Sequence, residues 1–255
     1  MLNSTLINRI KEFAEHKRSS GIYFKSGEEA LLRFARFCEE HHPDADRPTE
    51  HVVLDFMSNY RAEGAPAAYG DYLRGFARFL SLRGIADVFV LPKKWSTKTE
   101  PEPPYFFTDD EIRAFFKASD ELPRHKENPG RELVVPAFFR LMYCCGVRTK
   151  EARMLKTEDA MLNEHRIVIR NSKGSCTRQI YISEDVANYL KQYDSAIAEI
   201  FPNRTCFFPV KGKDGEHFPS RTFVRNNFRK IWLTTFPGFE FFNNRPRPYD
   251  FRHHF

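Results

Sequence analysis

The sequence predicts a mainly α-helical protein of two domains, the second of which is mixed α/β with a small β-hairpin. Three observations lead to this prediction. Residues 1–90 show helical periodicity, residues 91–104 are proline-rich and aperiodic, and residues 105–255 are mainly helical but include two β-branched runs. The 255 residues are 41% hydrophobic and include 26 Phe, which is enough for a buried core and excludes a disordered chain.

Four helices are predicted in the first domain. The first covers residues 3–18, and the second begins at Ser26, because Ser26 and Glu29 have the spacing of a capping box. The third follows Thr49 and the fourth follows Pro66, and both carry apolar residues at helical spacing. The domain is therefore expected to be a small helical bundle.

The stretch "LPKKWSTKTEPEPPYF", residues 91–106, separates the two domains. It contains four prolines and has no hydrophobic period, which is typical of an extended linker. Lys93 and Lys94 make its first part basic. We place the domain boundary in this stretch.

The second domain begins with helices. Thr108 and Glu111 have capping-box spacing, which predicts a helix start there. An apolar helix is predicted over residues 133–145, ending at Gly146, and a short helix over residues 149–155.

The hydrophobic period then changes to that of strands. "HRIVIR" (165–170) and "RQIYI" (178–182) are β-branched runs separated by a turn, which predicts one β-hairpin. Ser183 is expected to open a helix that ends near Ile200, and Ser220 to open another.

The net charge of +6 favours a polyanionic partner, and most of the surplus lies after residue 100. A merely soluble basic protein remains an alternative on charge alone. The five cysteines are odd in number and form no C-x-x-C pair, which fits a reducing compartment. The N-terminus has no signal-like apolar core and no apolar run is long enough to span a bilayer, so we expect a cytoplasmic protein without a membrane partner.

One candidate for chemistry lies in "CCGVRTKEARML", residues 144–155. A helix ends at Gly146, the chain turns, and Arg148 precedes a new helix. An arginine in this position is suited to hold an anion. The alternative is an arginine that only bonds the carbonyls of a helix end.

A second candidate is Lys173 beside a glycine at the tip of the predicted hairpin, where it could deliver a proton or a charge. The flanking Arg166, Arg170 and Arg178 favour a hairpin that faces phosphate. A solvated turn lysine is the alternative.

The third candidate is the final stretch, "RPRPYDFRHHF". In a helix that begins near Tyr249, the residues Tyr249, Arg252 and His253 share one side. His253 and His254 are adjacent and cannot both face one ion from a helix, and no further ligands stand at metal-binding spacing. We therefore expect no metal here. A frayed basic tail and one half of an active site are the remaining readings.

Together these segments resemble the tyrosine recombinases of the phage integrase type. "CGVRTKEARML" resembles the first arginine box of that family, and "YDFRHHF" resembles the second, usually His-Asp-Leu-Arg-His-Thr-Phe. Lys173 lies between them, where the family keeps its catalytic lysine. The resemblance implies a helical, SAM-like core-binding domain over residues 1–90 and a catalytic domain of the DNA breaking-rejoining type over residues 105–255, incomplete at its C-terminus.

The resemblance also implies catalytic roles. Arg148 and Arg252 would hold the non-bridging oxygens of the scissile phosphate and offset the charge of its transition state. Lys173 would be the general acid on the leaving 5′-oxygen. Tyr249 takes the place of the family's usual histidine, where a phenol can donate a hydrogen bond but is a poorer base.

Other residues would support these four. The resemblance implies that Glu151 orients Arg148 and that His253 has a structural role. The family's reaction runs through a 3′-phosphotyrosyl intermediate and needs no cofactor. Contacts to double-stranded DNA are expected from the remaining basic residues, namely Arg166, Arg170, Arg178, Lys93 and Lys94.

The family places its nucleophilic tyrosine some tens of residues beyond the second arginine, and no tyrosine follows Tyr249 in this sequence. We therefore expect a recombinase or integrase of a mobile element that is cut short and binds DNA without cleaving it by the usual route. The family acts as a tetramer, an assembly that the absent C-terminal element makes doubtful here. A non-catalytic DNA-binding remnant and a helical protein–protein scaffold remain the alternative functions.

Overall fold

The computed structural model describes residues 4–62, 68–93, 103–170, 177–241 and 245–254. The chain divides into two compact units, Met1–Pro101 and Glu102–Phe255. The first is helical, and the second combines helices with small antiparallel sheets. The predicted fold class is therefore confirmed. Within the described residues, no helix combines the length and the apolar character needed to cross a bilayer.

The N-terminal unit is a bundle with an aromatic core. Its apolar helix faces meet around Phe34, Phe56 and Phe76, all fully buried. The buried guanidinium of Arg74 donates from Nε to the carbonyl of Leu91 at 2.8 Å, which fixes the segment that follows the last helix. The four predicted helices are present: α1 (Ser4–Ser19), α2 (Lys25–His41), α3 (Glu50–Ala62) and α4 (Ala68–Leu82).

The two predicted capping boxes have different outcomes. Thr108 and Glu111 form one, in which each side chain accepts from the other's backbone N–H. The prediction for Ser26 and Glu29 is wrong, because α2 begins at Lys25 without a side-chain cap. The ring of Phe24 lies against the backbone of Gly27 in the first turn, so aromatic packing determines where this helix starts.

The second unit is built around helix α6, which is buried along most of its length. Ser183 and Ser220 cap the helices predicted to begin there, each accepting from a backbone N–H three residues on. The elements are α5 (Asp109–Asp120), α6 (Arg131–Cys145), α7 (Thr149–Arg153), β1 (Ala160–Met161), β2 (Arg166–Ile169), β3 (Arg178–Tyr181), α8 (Glu184–Ile200), β4 (Val210–Gly212), β5 (Gly215–His217) and α9 (Arg221–Thr235).

The predicted hairpin is confirmed, and the structure adds a second one. β2 pairs antiparallel with β3, with Ile167 opposite Ile180, and β1 extends this sheet on the other edge of β2. β4 and β5 form a separate hairpin, so the prediction of a single hairpin is wrong. Its turn ends at Gly215, whose φ of +117° is a conformation that L-residues rarely adopt.

The final described segment is a 3-10 helix, Pro248–His254, that packs on α6 through Phe251. Phe251 is fully buried. Its ring stacks on Phe107 at 4.8 Å and contacts Phe139 and Tyr143 of α6 at 6.0 and 6.2 Å. Nearby, Nε2 of His254 accepts a hydrogen bond from the backbone N–H of Phe107 at 2.7 Å. The last segment is therefore held by both aromatic and polar contacts.

We predict that Phe251→Ala lowers the free energy of unfolding of the second unit by about 3–5 kcal/mol, because it leaves a cavity among these rings. Trp232 is fully buried in the same cluster. In a Trp95→Phe background it would be the sole tryptophan, and its fluorescence in a urea titration would report this unit alone.

The matched control is Phe106→Ala, since Phe106 is 67% exposed. Its expected effect is within about 0.5 kcal/mol. Equal losses for Phe251→Ala and Phe106→Ala would contradict the role assigned to Phe251.

Candidate functional site

Arg148 lies in the turn between α6 and α7. Gly146 ends α6 in the left-handed conformation, with φ of +56°, and Arg148 is extended before α7 begins. The carboxylate of Glu151 accepts from the backbone N–H of Arg148 through Oε2 and from its Nη1 through Oε1, both at 2.8 Å. The conformation of Arg148 is therefore fixed by a carboxylate three residues further along the chain.

The same carboxylate binds a second guanidinium. Nη1 of Arg178 donates to Oε1 of Glu151 at 2.8 Å, and Nη2 donates to Oε2 at 2.7 Å. This bond to Glu151 is the main reason that the pKa of Arg178 is raised. The side chain of Glu151 is 5% exposed, while those of Arg148 and Arg178 are about one-third exposed. Two cations around one buried anion leave the cluster with one net positive charge.

The other arginines of the sheet are also paired. Arg166 contacts Glu164, and Nε of Arg170 donates to the buried Asp159 at 2.7 Å. Each of the three arginines expected to face phosphate from this hairpin therefore has a carboxylate partner. Lys173 and Lys94 lie outside the described residues, and Lys93 is exposed at the end of the described part of the first unit.

In the C-terminal segment, Tyr249 is exposed and Arg252 is partly buried. Tyr249 is 43% exposed, and its ring packs edge-on to His253 at 5.6 Å. Nη1 of Arg252 is enclosed without a hydrogen-bond partner among the described residues. The described residues contain no group of three or more His, Cys, Asp or Glu suited to a metal ion.

A buried carboxylate shapes the turn that leads into this segment. Asp250 is fully buried. It accepts from the backbone N–H of Arg247 at 2.8 Å and from its Nη2 at 3.1 Å. The start of the 3-10 helix, and with it the position of Tyr249, is therefore held by an internal ion pair.

One cleft brings part of both arginine boxes together. It has a volume of about 660 Å³, and its lining includes Thr149 and Tyr249, whereas Arg148 and Arg252 are not among the described residues that line it. No Asp or Glu is present among the described residues that line it. Its walls carry arginines from α9 and from the segment before Tyr249, which are Arg221, Arg225, Arg229, Arg245 and Arg247.

The α9 arginines are functional candidates that sequence reasoning missed. Arg221, Arg225 and Arg229 recur every four residues, which places them on one helix face. That spacing is present in the sequence, but the apolar residues of the same helix indicated only a helix that packs on the core. Arg229 also lies over the ring of Phe241 at 5.2 Å, which holds its charge at the cleft wall.

Arg153 lies close enough to Arg221 for their two positive charges to repel each other. The pKa of Arg153 is lowered, first by burial and then by the charge of Arg221. Nε of Arg153 donates to the carbonyl of Pro219. A concave surface with several guanidinium groups and no carboxylate in its described lining can bind a polyanion along its length.

The second unit has the fold of the DNA breaking-rejoining type, and it carries two arginine-containing segments, one around Arg148 and one around Arg252. Residues 105–255 match the model of the phage integrase family. The chain belongs to this family, whose members include the tyrosine recombinases.

Two curated relatives are tyrosine recombinases. XerD of Rhizobium meliloti is 26% identical over 159 residues, covering 60% of this chain and 49% of XerD. XerC of Staphylococcus aureus is 25% identical over 205 residues, covering 75% of this chain and 62% of XerC. The chain thus spans about half to three-fifths of the length of these relatives.

The fold is shared with solved structures. The Tn1549 transposon integrase in complex with transposon right end DNA superposes with a TM-score of 0.63 at 13% identity. The match covers 96% of this chain and 84% of that chain. The likeness at this identity concerns the fold.

We predict that Glu151→Ala lowers the free energy of unfolding of the second unit by about 2 kcal/mol, because two guanidinium groups lose their shared anion. The value is below that of a fully buried pair, since both guanidiniums are partly exposed and screened by solvent. Urea unfolding followed by Trp232 fluorescence measures it. The control is Glu158→Ala, whose side chain is 65% exposed beside Lys156 and which should be nearly silent. A silent Glu151→Ala would show that the cluster contributes nothing to stability.

Proposed function

We propose that the chain binds double-stranded DNA and holds one phosphodiester with Arg148 and Arg252, as the phosphate-holding part of a tyrosine recombinase or integrase. The observation that carries the proposal is the arginine-lined cleft that reaches from Thr149 to Tyr249. The elements bearing both arginines adjoin α6, through the turn at Gly146 and through Phe251. Family membership supports the same substrate class.

The proposed chemistry is phosphoryl transfer. Arg148 and Arg252 stabilise the charge that develops on the non-bridging oxygens in the five-coordinate transition state. Lys173 donates a proton to the leaving 5′-oxygen. Tyr249 borders the cleft and donates a hydrogen bond to the phosphate in place of the family's usual histidine. In the full family reaction, cleavage and rejoining pass through a 3′-phosphotyrosyl intermediate, without a cofactor.

The wider setting is also proposed. A relative in fold is a transposon integrase solved with transposon right end DNA, which supports a role in a mobile element. The described cysteines Cys38, Cys144, Cys145 and Cys206 are free thiols, which supports the cytoplasm. The helical first unit and Lys93 would add further DNA contacts. Assembly as a tetramer on DNA would be as in the family.

A non-catalytic DNA-binding role is the second candidate. It is favoured by Tyr249, which replaces the box's usual histidine with a poorer base. Both candidates require DNA binding, whereas the alternative of a protein–protein scaffold does not. Salt-dependent DNA binding separates the scaffold from the two DNA-binding functions, and covalent trapping separates the catalytic from the non-catalytic one.

We predict that duplex DNA binds with an affinity that falls steeply with salt, because phosphate contacts release counterions. Arg148→Ala and Arg252→Ala should each weaken binding and reduce the slope of log affinity against log salt by about one unit. Fluorescence anisotropy at several salt concentrations measures both quantities, with circular dichroism to verify folding.

The control is Arg113→Ala on α5, whose side chain is 73% exposed beside Asp110. It should leave affinity and slope unchanged. Loss of helicity in Arg148→Ala or Arg252→Ala would mean that the arginine is structural, and salt-independent binding would argue against phosphate contact altogether.

Covalent trapping distinguishes the catalytic from the non-catalytic role. In the printed sequence Tyr249 is the last tyrosine, and we assign it to the phosphate rather than to nucleophilic attack. A polypeptide of these 255 residues should bind a nicked suicide substrate without forming a protein–DNA adduct that survives denaturing electrophoresis. An adduct that disappears in Tyr249→Phe would contradict this assignment and make Tyr249 the nucleophile.

A further inference from the structure

We propose that Arg178 is a positioning residue for Arg148, acting through the carboxylate of Glu151 rather than by direct contact with DNA. The inference rests on the proposed function, since it concerns how Arg148 is presented to a phosphate. It also changes the role expected from sequence, which placed Arg178 among the arginines that touch DNA.

The geometry of Glu151 is the basis of the proposal. A carboxylate offers about four acceptor positions, two on each oxygen. Oε1 accepts from Nη1 of Arg148 and from Nη1 of Arg178. Oε2 accepts from the backbone N–H of Arg148 and from Nη2 of Arg178. Arg178 therefore occupies one acceptor position on each oxygen of this carboxylate.

That occupancy determines how strongly Glu151 can hold Arg148. Nη1 of Arg148 donates to Oε1 of the carboxylate, the oxygen that also accepts from Nη1 of Arg178. Without Arg178, the vacated acceptor positions would favour a closed, two-pronged pair between Glu151 and Arg148, the strongest geometry for these groups. Such a pair is electrically neutral and would turn the Arg148 fork away from a phosphate.

The contacts of Arg178 argue against direct binding of DNA by this residue. Both of its terminal nitrogens donate to Glu151, and only about one-third of its side chain is exposed. It is the first residue of β3, whereas Glu151 lies in α7. The pair thus also ties the sheet to the turn that carries Arg148.

The test is a double-mutant cycle measured by anisotropy with duplex DNA at fixed salt. Arg178→Ala should weaken binding about tenfold, at the low end for loss of a residue that supports a ligand-holding group. In a Glu151→Gln background the same change should cost less than about twofold, because a neutral amide does not capture Arg148. In an Arg148→Ala background it should likewise have almost no further effect.

A purely electrostatic or direct contact predicts a different result. Arg178→Ala would then cost the same factor in wild type, Glu151→Gln and Arg148→Ala, and this additivity would overturn the proposal. Arg178→Lys keeps the charge but loses the two-pronged geometry, so it should recover only part of the affinity.

The matched control is Arg140→Ala. Arg140 forms a similar two-pronged pair with Asp120, at 2.7 and 2.6 Å, between α6 and α5. Its loss should lower stability but change DNA affinity by less than about twofold. A tenfold loss in Arg140→Ala would show that breaking any such pair affects binding through the fold, which would count against a special role for Arg178.

Failure of the proposed function is distinguishable from failure of the inference. If the wild type does not bind DNA, the cycle is read with inorganic phosphate, following the Nε–Hε resonance of Arg148 by NMR. Arg178→Ala should then abolish the phosphate-induced shift, and adding Glu151→Gln should restore it. A shift that is unchanged by Arg178→Ala would overturn the inference whatever the DNA result.

Discussion

The positions of both arginine boxes depend on helix α6 and on the aromatic contacts along its C-terminal half. α6 ends at Gly146, whose left-handed conformation turns the chain just before Arg148. The second box is anchored by Phe251, which is fully buried and contacts Tyr143 in the last turns of α6. Arg252 follows Phe251 directly. One buried helix therefore sets the position of two segments that are far apart in the sequence, and close packing in its aromatic core limits how either can move.

The parts of the fold that local signals determine were predictable. Thr108 forms its capping box because both partners lie within one turn, whereas the start of α2 depends on Phe24, whose ring packs on Phe13 and Tyr72 from other helices. Such contacts depend on tertiary structure, and the local sequence around Ser26 does not reveal them. The β4–β5 hairpin did carry a signal, an Asp-Gly pair at its turn, but its strands are three residues long and too polar to show a period.

The candidate site likewise has a part that the sequence predicts and a part that depends on tertiary contacts. The order and spacing of the boxes predict Arg148 and Arg252 from the sequence alone, and their role in holding a phosphate stays a prediction. The partners of Arg170 and Arg178 were not predictable, because the carboxylates of Asp159 and Glu151 come from other elements of the unit. A basic sequence therefore overstated how much positive charge the hairpin presents, while the arginines of α9, read as the outer face of an ordinary helix, were given too little weight.

These two groups of arginines suit different tasks. Beside the sheet, Arg148, Arg166, Arg170 and Arg178 each contact a carboxylate, which fixes their orientation but partly cancels their positive charge. Along the cleft the described lining lacks carboxylates, although Arg247 reaches Asp250 behind it, and the charges there sum to a field that attracts a polyanion from a distance. Attraction alone would leave a phosphate unoriented, and a fixed guanidinium alone would rarely meet one. In the proposed function the two groups act together: the cleft would bring the backbone of a duplex close, and the Arg148–Glu151–Arg178 cluster would align a single phosphate.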